Sequence, residues 1–137
     1  MQVQPYLMFD GRCEEAVEFY RKALDAKVEA LIRFKDSPNP ATCPPDSADK
    51  VMHACFWIGD SAVMATDGMC HGKPGFNGFS LTVTAADDED AKRRFAALAE
   101  GGEVKMPLAK TFFASSFGTV ADRFGVSWMV IANPVGA

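Results

Sequence analysis

The chain is sparing with the residues that most often announce chemistry. Its 137 residues include two histidines, two tyrosines, two tryptophans and four cysteines. The cysteines, Cys13, Cys43, Cys55 and Cys70, show no C-x-x-C spacing and no metal-site grouping with histidine, so neither a local zinc site nor a redox pair is encoded. Free thiols in the cytoplasm are the expectation. No apolar run approaches the roughly 18 to 20 residues that span a bilayer, and MQVQPYLMFDG lacks the charged-then-apolar layout of a signal peptide. Positive charge is also short: 14 Lys and Arg against 18 Asp and Glu leave a net charge of -4. With no basic field to gather phosphates, neither nucleic acid nor an anionic membrane is expected as a partner.

What is present is ordinary globular material, 48% hydrophobic and 23% charged, in a length that suits one domain without disulfide or metal staples. Val3 to Phe9 reads as a strand ending at the turn pair Asp10-Gly11, which can also cap a helix. Cys13, Ala16, Val17, Tyr20 and Leu24 then recur at helical spacing, with Glu14, Glu15 and Glu18 early and Arg21 and Lys22 late, which predicts an amphipathic helix over 12–24. Val28 to Phe34 is extended. Ser37 to Asp49 carries Pro38, Pro40, Pro44 and Pro45 and reads as a loop. Val51 to Ile58 and Ala62 to Ala65 flank Gly59-Asp60-Ser61 as a hairpin.

After Gly68 to Gly78, the alternation of Phe79, Leu81 and Val83 with Ser80, Thr82 and Thr84 marks a half-buried strand. The acidic run Asp87 to Asp90 opens a second helix, whose stripe Ala91, Phe95, Leu98 and Ala99 stops at Gly101-Gly102. The run is read as a solvated helix start. Glu103 to Met106, Thr111 to Ala121, a turn at Asp122 to Gly125, and Val126 to Ala132 complete the chain.

The order strand, helix, three strands therefore occurs twice, over about 1–67 and 76–137. Tyr6, Ala16 and Tyr20 map onto Leu81, Ala91 and Phe95 with a shift of 75, and Val63-Met64-Ala65 onto Trp128-Met129-Val130 with a shift of 65. The ten-residue difference falls on the proline-rich loop of the first half, one loop insertion between two otherwise matching βαβββ modules.

The opening PYLMFDGRCEEAVEFY, the segments IGDSAVMATD and GFSLTVTAADDEDAKRRFAAL, and the close KTFFASSFGTVADRFGVSWMV resemble the PhnB-like branch of the vicinal oxygen chelate superfamily, which includes glyoxalase I, extradiol dioxygenases and bleomycin-resistance proteins. The resemblance covers nearly the whole chain. It implies an α+β fold of two βαβββ modules in a curved mixed sheet around a cleft, paired in a homodimer. It also implies four inward positions for a divalent metal, which here fall at Gln4 or Pro5, Met64, Phe79 or Ser80, and Met129. Only Gln4 among these is a reasonable ligand, because a hard or borderline ion needs several N or O donors. No metal and no cofactor is therefore expected, with Met64 and Met129 read as adaptable core filler. Members of the branch are often labelled demethylubiquinone methyltransferases. The chain has no G-x-G-x-x-G, and its strand-helix order does not build a nucleotide-binding α/β sheet, so methyl transfer is not supported.

Individual residues carry the remaining chemistry. His53, in VMHACFWI, shares a strand face with Cys55 and Trp57 and is the acid/base candidate because imidazole titrates near neutrality. Cys55 beside it reads as a buried small hydrophobe rather than as a nucleophile. His71 reads as a solvent-exposed or lid residue. Trp57, Phe76, Phe79, Phe112, Phe113, Phe117 and Trp128 are the aromatics available to an apolar cleft. Met64, Asp67, Ser80, Thr82 and Met129 complete the candidate lining for a small apolar or planar ligand. Three functions stay open: a metal-free binding protein of the bleomycin-resistance kind; a lyase, isomerase or dioxygenase whose metal is held, for instance, by Gln4 and His53; and a regulatory module whose cleft is filled by Met64, Met129 and Trp128.

Overall fold

The computed structural model describes residues 1–38, 46–68 and 74–135. The chain divides into two compact units, Met1–Pro74 and Gly75–Ala137. The first unit contains β1 (Tyr6–Met8), α1 (Cys13–Leu24), β2 (Lys27–Arg33), a 3-10 turn at Phe34–Asp36, β3 (Val51–Ile58) and β4 (Ser61–Thr66). Its four strands lie in the order β1-β4-β3-β2, with β1 parallel to β4 and the other pairs antiparallel. The second unit repeats the plan with β5 (Leu81–Ala85), α2 (Asp88–Ala99), β6 (Glu103–Ala109), β7 (Ala114–Ala121) and β8 (Ser127–Pro134), in the order β5-β8-β7-β6. The expected α+β arrangement of two βαβββ modules is what forms. Cys43 lies outside the described residues, as does the centre of the proline-rich loop; Cys70 and His71 lie outside them too.

Each unit has its helix packed on one sheet face. In the first, Cys13, Ala16, Val17, Tyr20 and Leu24 are buried, and Tyr20 stacks on Phe56 at 5.8 Å between ring centroids. Leu7, Ala54, Val63 and Ala65 fill the space around them. Each large side chain so buried stabilises the fold by about 1.5 to 3 kcal/mol.

The N-terminus of α1 is held differently from the sequence expectation. Asp10 does not cap it, and Arg12, at the N-cap, makes no side-chain cap bond. Asp67, from the end of β4, instead accepts from the N–H groups of Gly11 (2.8 Å) and Cys13 (3.0 Å) through Oδ1 and from Val51 N–H (3.1 Å) through Oδ2. In α2 the expected local device forms: Asp87 accepts from Asp90 N–H at 2.8 Å, while Asp90 accepts from Ala86 N–H at 3.0 Å.

Strand ends shift for physical reasons. β1 has one neighbour in its sheet and Pro5 has no N–H, so its ladder is short, although Pro5 C=O accepts from Met64 N–H at 3.0 Å and Phe9 N–H donates to Thr66 C=O at 2.7 Å. β7 begins at Ala114, not Thr111, because Thr111 N–H donates back to Ala114 C=O at 3.0 Å and turns the chain. Pro107 sits in the edge strand β6, where the register is irregular between Met106 and Ala109.

The repeat register also needs one correction. Tyr6 pairs with Met64 and Thr82 with Met129, so the counterpart of Tyr6 is Thr82, a shift of 76, while Ala16 and Ala91 keep the shift of 75. One residue more separates the first strand from its helix in the first unit. The slip exchanges the faces: Leu81 does not share the environment of Tyr6.

Gly118, in the middle of β7, has no room for a side chain. A Cβ there would stand 2.8 Å from the ring of Phe95 and 2.9 Å from Leu108 Cα. Gly118→Val is expected to destabilise by about 1 to 3 kcal/mol through overpacking. Gly59→Ala, facing open space but holding a φ of 57°, is expected to cost about 1 kcal/mol through backbone strain alone. Urea midpoints of the two variants against the parent check both values and their order.

Candidate functional site

A strand in a one-helix unit has a covered face and an open one. On β3, Ala54 and Phe56 are buried on the α1 side, so His53, Cys55 and Trp57 lie on the opposite face and are half-buried. Pairing registers place Ala30, Cys55, Met64 and Tyr6 in one row across the four strands. Tyr6 is 42% exposed, and its hydroxyl forms a 2.9 Å hydrogen bond with His53 Nδ1; the rings are 5.7 Å apart between centroids and tilted by 52°. Partial burial, reinforced by Cys13, raises the Tyr6 phenol above its ordinary range. Burial first, then Glu29, raises the Cys55 thiol as well. A raised thiol is a poor thiolate nucleophile, in keeping with Cys55 as a small hydrophobe.

The open face of the second unit carries a pocket of about 660 Å³, lined by Phe76, Phe79, Ser80, Lys105, Ser127 and Met129 with Asn77, Gly78, Ala121 and Gly125. Ser80 and Ser127 join their hydroxyls at 2.7 Å, and Lys105 pairs with Glu103 at 3.0 Å. Of the anticipated lining residues, Ser80 and Met129 meet here together with the aromatics Phe76 and Phe79. Thr82, exposed, is in register with Met129 one strand away. Phe117 stands opposite Ile131, and an edge-to-face chain runs from it to Phe113 (5.0 Å) and on to Phe112 (5.2 Å), which is 96% exposed. These three rings are neighbours of one another and do not line this pocket. Met64 and Trp57 belong to the open face of the first unit.

Two anticipated lining residues are structural instead. Asp67 is 5% exposed and all its acceptors are turned on backbone N–H groups, as described above. Trp128 is 2% exposed, with its indole N–H donated to Asp122 Oδ2 at 2.8 Å. The other oxygen of Asp122 accepts from Phe124 N–H (2.9 Å) and Val126 N–H (3.1 Å), which closes the turn into β8. A buried indole satisfied in this way serves the core and presents no surface to a ligand. Sequence reasoning missed Tyr6, Asn77, Lys105 and Ser127. The signal for Tyr6 was available: period two sets it on the side of β1 opposite the buried Leu7, with its hydroxyl on the open face.

The fold implies a divalent metal, and the residues do not fit one. The expected positions, Gln4 or Pro5, Met64, Phe79 or Ser80, and Met129, become Tyr6 and Thr82 beside the two methionines once the register is read, leaving Gln4 two residues before the paired Tyr6, and among the described residues no three His, Cys, Asp or Glu side chains converge. Thioethers and hydroxyls with at most the single amide of Gln4 are a poor shell for a hard or borderline ion. Also among the described residues, no helix is long and apolar enough to cross a membrane.

Two βαβββ units with open sheet faces are the architecture of the glyoxalase and bleomycin-resistance, or vicinal oxygen chelate, superfamily. The same fold occurs in a glyoxylase/bleomycin resistance protein/dioxygenase domain from Frankia, 14% identical over all of this chain and 95% of that one, with a TM-score of 0.65. Within it, the chain belongs to the PhnB-like family described as 3-demethylubiquinone-9 3-methyltransferase, whose model matches residues 1–131. Protein YjdN of Escherichia coli is 37% identical over 140 residues, 95% of this chain and 94% of that protein. Protein PA1353 of Pseudomonas aeruginosa is 44% identical over 97% of this chain and 98% of that one, with a TM-score of 0.87.

The Asp122 clamp is open to a direct check. Asp122→Ala removes the carboxylate that accepts from three buried N–H donors and is expected to cost about 3 kcal/mol or more. Asp122→Asn turns an amide N–H₂ toward the indole or toward the two backbone donors. Part of its cost should therefore vanish in the background of Trp128→Phe, which a double-mutant cycle of denaturation free energies measures.

Proposed function

We propose that the chain is a metal-free binding protein for small planar or apolar molecules, acting as a homodimer in the cytoplasm. The observation that carries this reading is the open pocket of the second unit, whose lining is more polar than apolar: Asn77, Lys105 and the Ser80-Ser127 hydroxyl pair lie beside Phe76, Phe79 and Met129. Aromatic rings beside several hydrogen-bonding groups suit a small planar ligand that carries polar substituents. Half-exposed Met8, Ile32 and Tyr6 extend similar chemistry over the open face of the first unit. The donor set at the four fold-implied positions, rich in thioethers, favours binding over metal chemistry. Free thiols at Cys13 and Cys55 suit a reducing compartment. Methyl transfer, which the family's description would suggest, finds no support in the mixed four-stranded sheets or in any glycine-rich nucleotide-binding turn.

Titration with 1-anilinonaphthalene-8-sulfonate, read by its fluorescence, tests the pocket. Binding is expected, and Met129→Trp, which fills the space, should weaken it about tenfold with the far-ultraviolet circular dichroism unchanged. Unaltered binding in that variant would move the ligand elsewhere. The dimer is tested by light scattering, which should return about twice the 14.8 kDa of the chain; the single-chain mass would remove the second copy from the reading.

A further inference from the structure

The polar groups of the second unit's pocket say more about its ligand than the rings do. Lys105 is the one residue of the lining with a charged side chain, so the wall holds a cation and no anion of its own. The remaining polar groups are neutral, and they have hydrogen atoms to give. Ser80 and Ser127 share a single hydrogen bond of 2.7 Å, in which one hydroxyl donates and the other accepts. The accepting hydroxyl keeps its own proton, and no other acceptor takes it among the described residues. Asn77 is exposed, and its amide makes no hydrogen bond among those residues either.

Glu103 is the anion that competes for Lys105. It lies two residues back on β6, in register with Ala121 of the lining, and its Oε2 accepts from Lys105 Nζ at 3.0 Å. The two side chains are 72% and 54% exposed, and a pair so open to water is weak and readily shared with another anion. An ammonium has three donors, so the contact with Glu103 leaves two of them for a ligand. The pair also limits the charge that the pocket can accept. One lysine already facing one carboxylate can offset a single further negative charge but not two. The net charge of -4 on the whole chain adds no attraction from a distance, which leaves recognition to these short-range contacts.

We infer that the pocket selects planar aromatic monocarboxylates. An ionised carboxylate only accepts hydrogen bonds, which matches a wall with unspent donors on Lys105, Asn77 and the serine pair. The ring lies against Phe76 and Phe79, and Glu103 at the rim weakens the hold of Lys105 on the ligand. This inference rests on the reading of the pocket as a binding site and adds what that site discriminates. The anilinonaphthalene dye carries a ring and a sulfonate together, so it registers the space without separating the two contributions.

Calorimetric titration at pH 8 with three probes of one ring system separates them: 2-naphthoate, the uncharged 2-naphthamide, and the dianionic 2-naphthyl phosphate. 2-Naphthoate is expected to bind about tenfold more tightly than the amide, and the phosphate no more tightly than the amide. Lys105→Met, which keeps the length of the side chain and removes its charge, should bring the ratio of acid to amide to about one. Glu103→Gln should strengthen 2-naphthoate about threefold without strengthening the amide. Equal binding of acid and amide, both weakened by Met129→Trp, would keep the pocket and overturn its selectivity. A preference for the acid that survives Lys105→Met would overturn the assignment to Lys105, and tighter binding of the phosphate than of the acid would overturn the limit of one charge. Binding of none of the three would overturn the pocket and the inference together.

Discussion

Each unit depends on one buried carboxylate that gathers backbone donors from separated stretches of chain. Asp67 joins the end of β4 to the start of β3 and to the turn and first residue of α1, three connections that hydrophobic contact alone would leave loosely registered. Its negative charge also faces the positive end of the α1 dipole. The same carboxylate, with burial as the larger cause, pushes the Cys13 thiol up to about 12, so this cysteine is an inert part of the core. Asp122 serves the second unit through a different geometry, tying a turn and an indole. Burying these carboxylates is tolerable because both oxygens of each accept N–H groups.

With the helix side of each sheet organised in this way, the other side is free of structural duty. That is why half-exposed Tyr6, Met8 and Ile32 persist on one unit and Phe79 and Met106 on the other, at a cost in exposed apolar surface that a purely structural sheet would have no reason to carry. The polar groups on these faces differ: they include a tyrosine-histidine pair and Glu29 beside Cys55 in one unit, and a serine-serine pair with Asn77 and Lys105 in the other. The two units have kept the same scaffold and diverged in what the open face presents.

Much of the scaffold was legible in the sequence. Helical spacing from Cys13 to Leu24 and from Ala91 to Leu98 placed both helices, and the alternation in VMHACFWI placed β3 to the residue, because burial on one face is a local property of the chain. What failed was non-local. The Asp67 cap comes from a residue 54 positions away from Cys13, beyond any local motif. The one-residue slip that makes Thr82, rather than Leu81, the counterpart of Tyr6 depends on the register of parallel pairs, which composition does not encode. Trp128 looked like a cleft aromatic because its type suits one; only its partner, Asp122, reveals that the indole is committed.

Membership of a family described by a methyl-transfer reaction, on a scaffold named for metal chelation, still leaves the chemistry to the side chains present. The corrected register bears on this directly. Met64 and Met129 are each the in-register neighbour of a first-strand residue, Tyr6 in one unit and Thr82 in the other. The pair of positions that would offer two donors to a metal in each unit therefore offers one thioether and one hydroxyl. Restoring a carboxylate at one methionine would not rebuild a metal shell, since its neighbour would still be a neutral hydroxyl and the matching positions would still lack nitrogen or carboxylate donors. In the first unit, the Tyr6 hydroxyl has instead been turned toward a histidine two strands away, across β4. That hydrogen bond puts the open-face imidazole in a defined orientation using only the fold's own register.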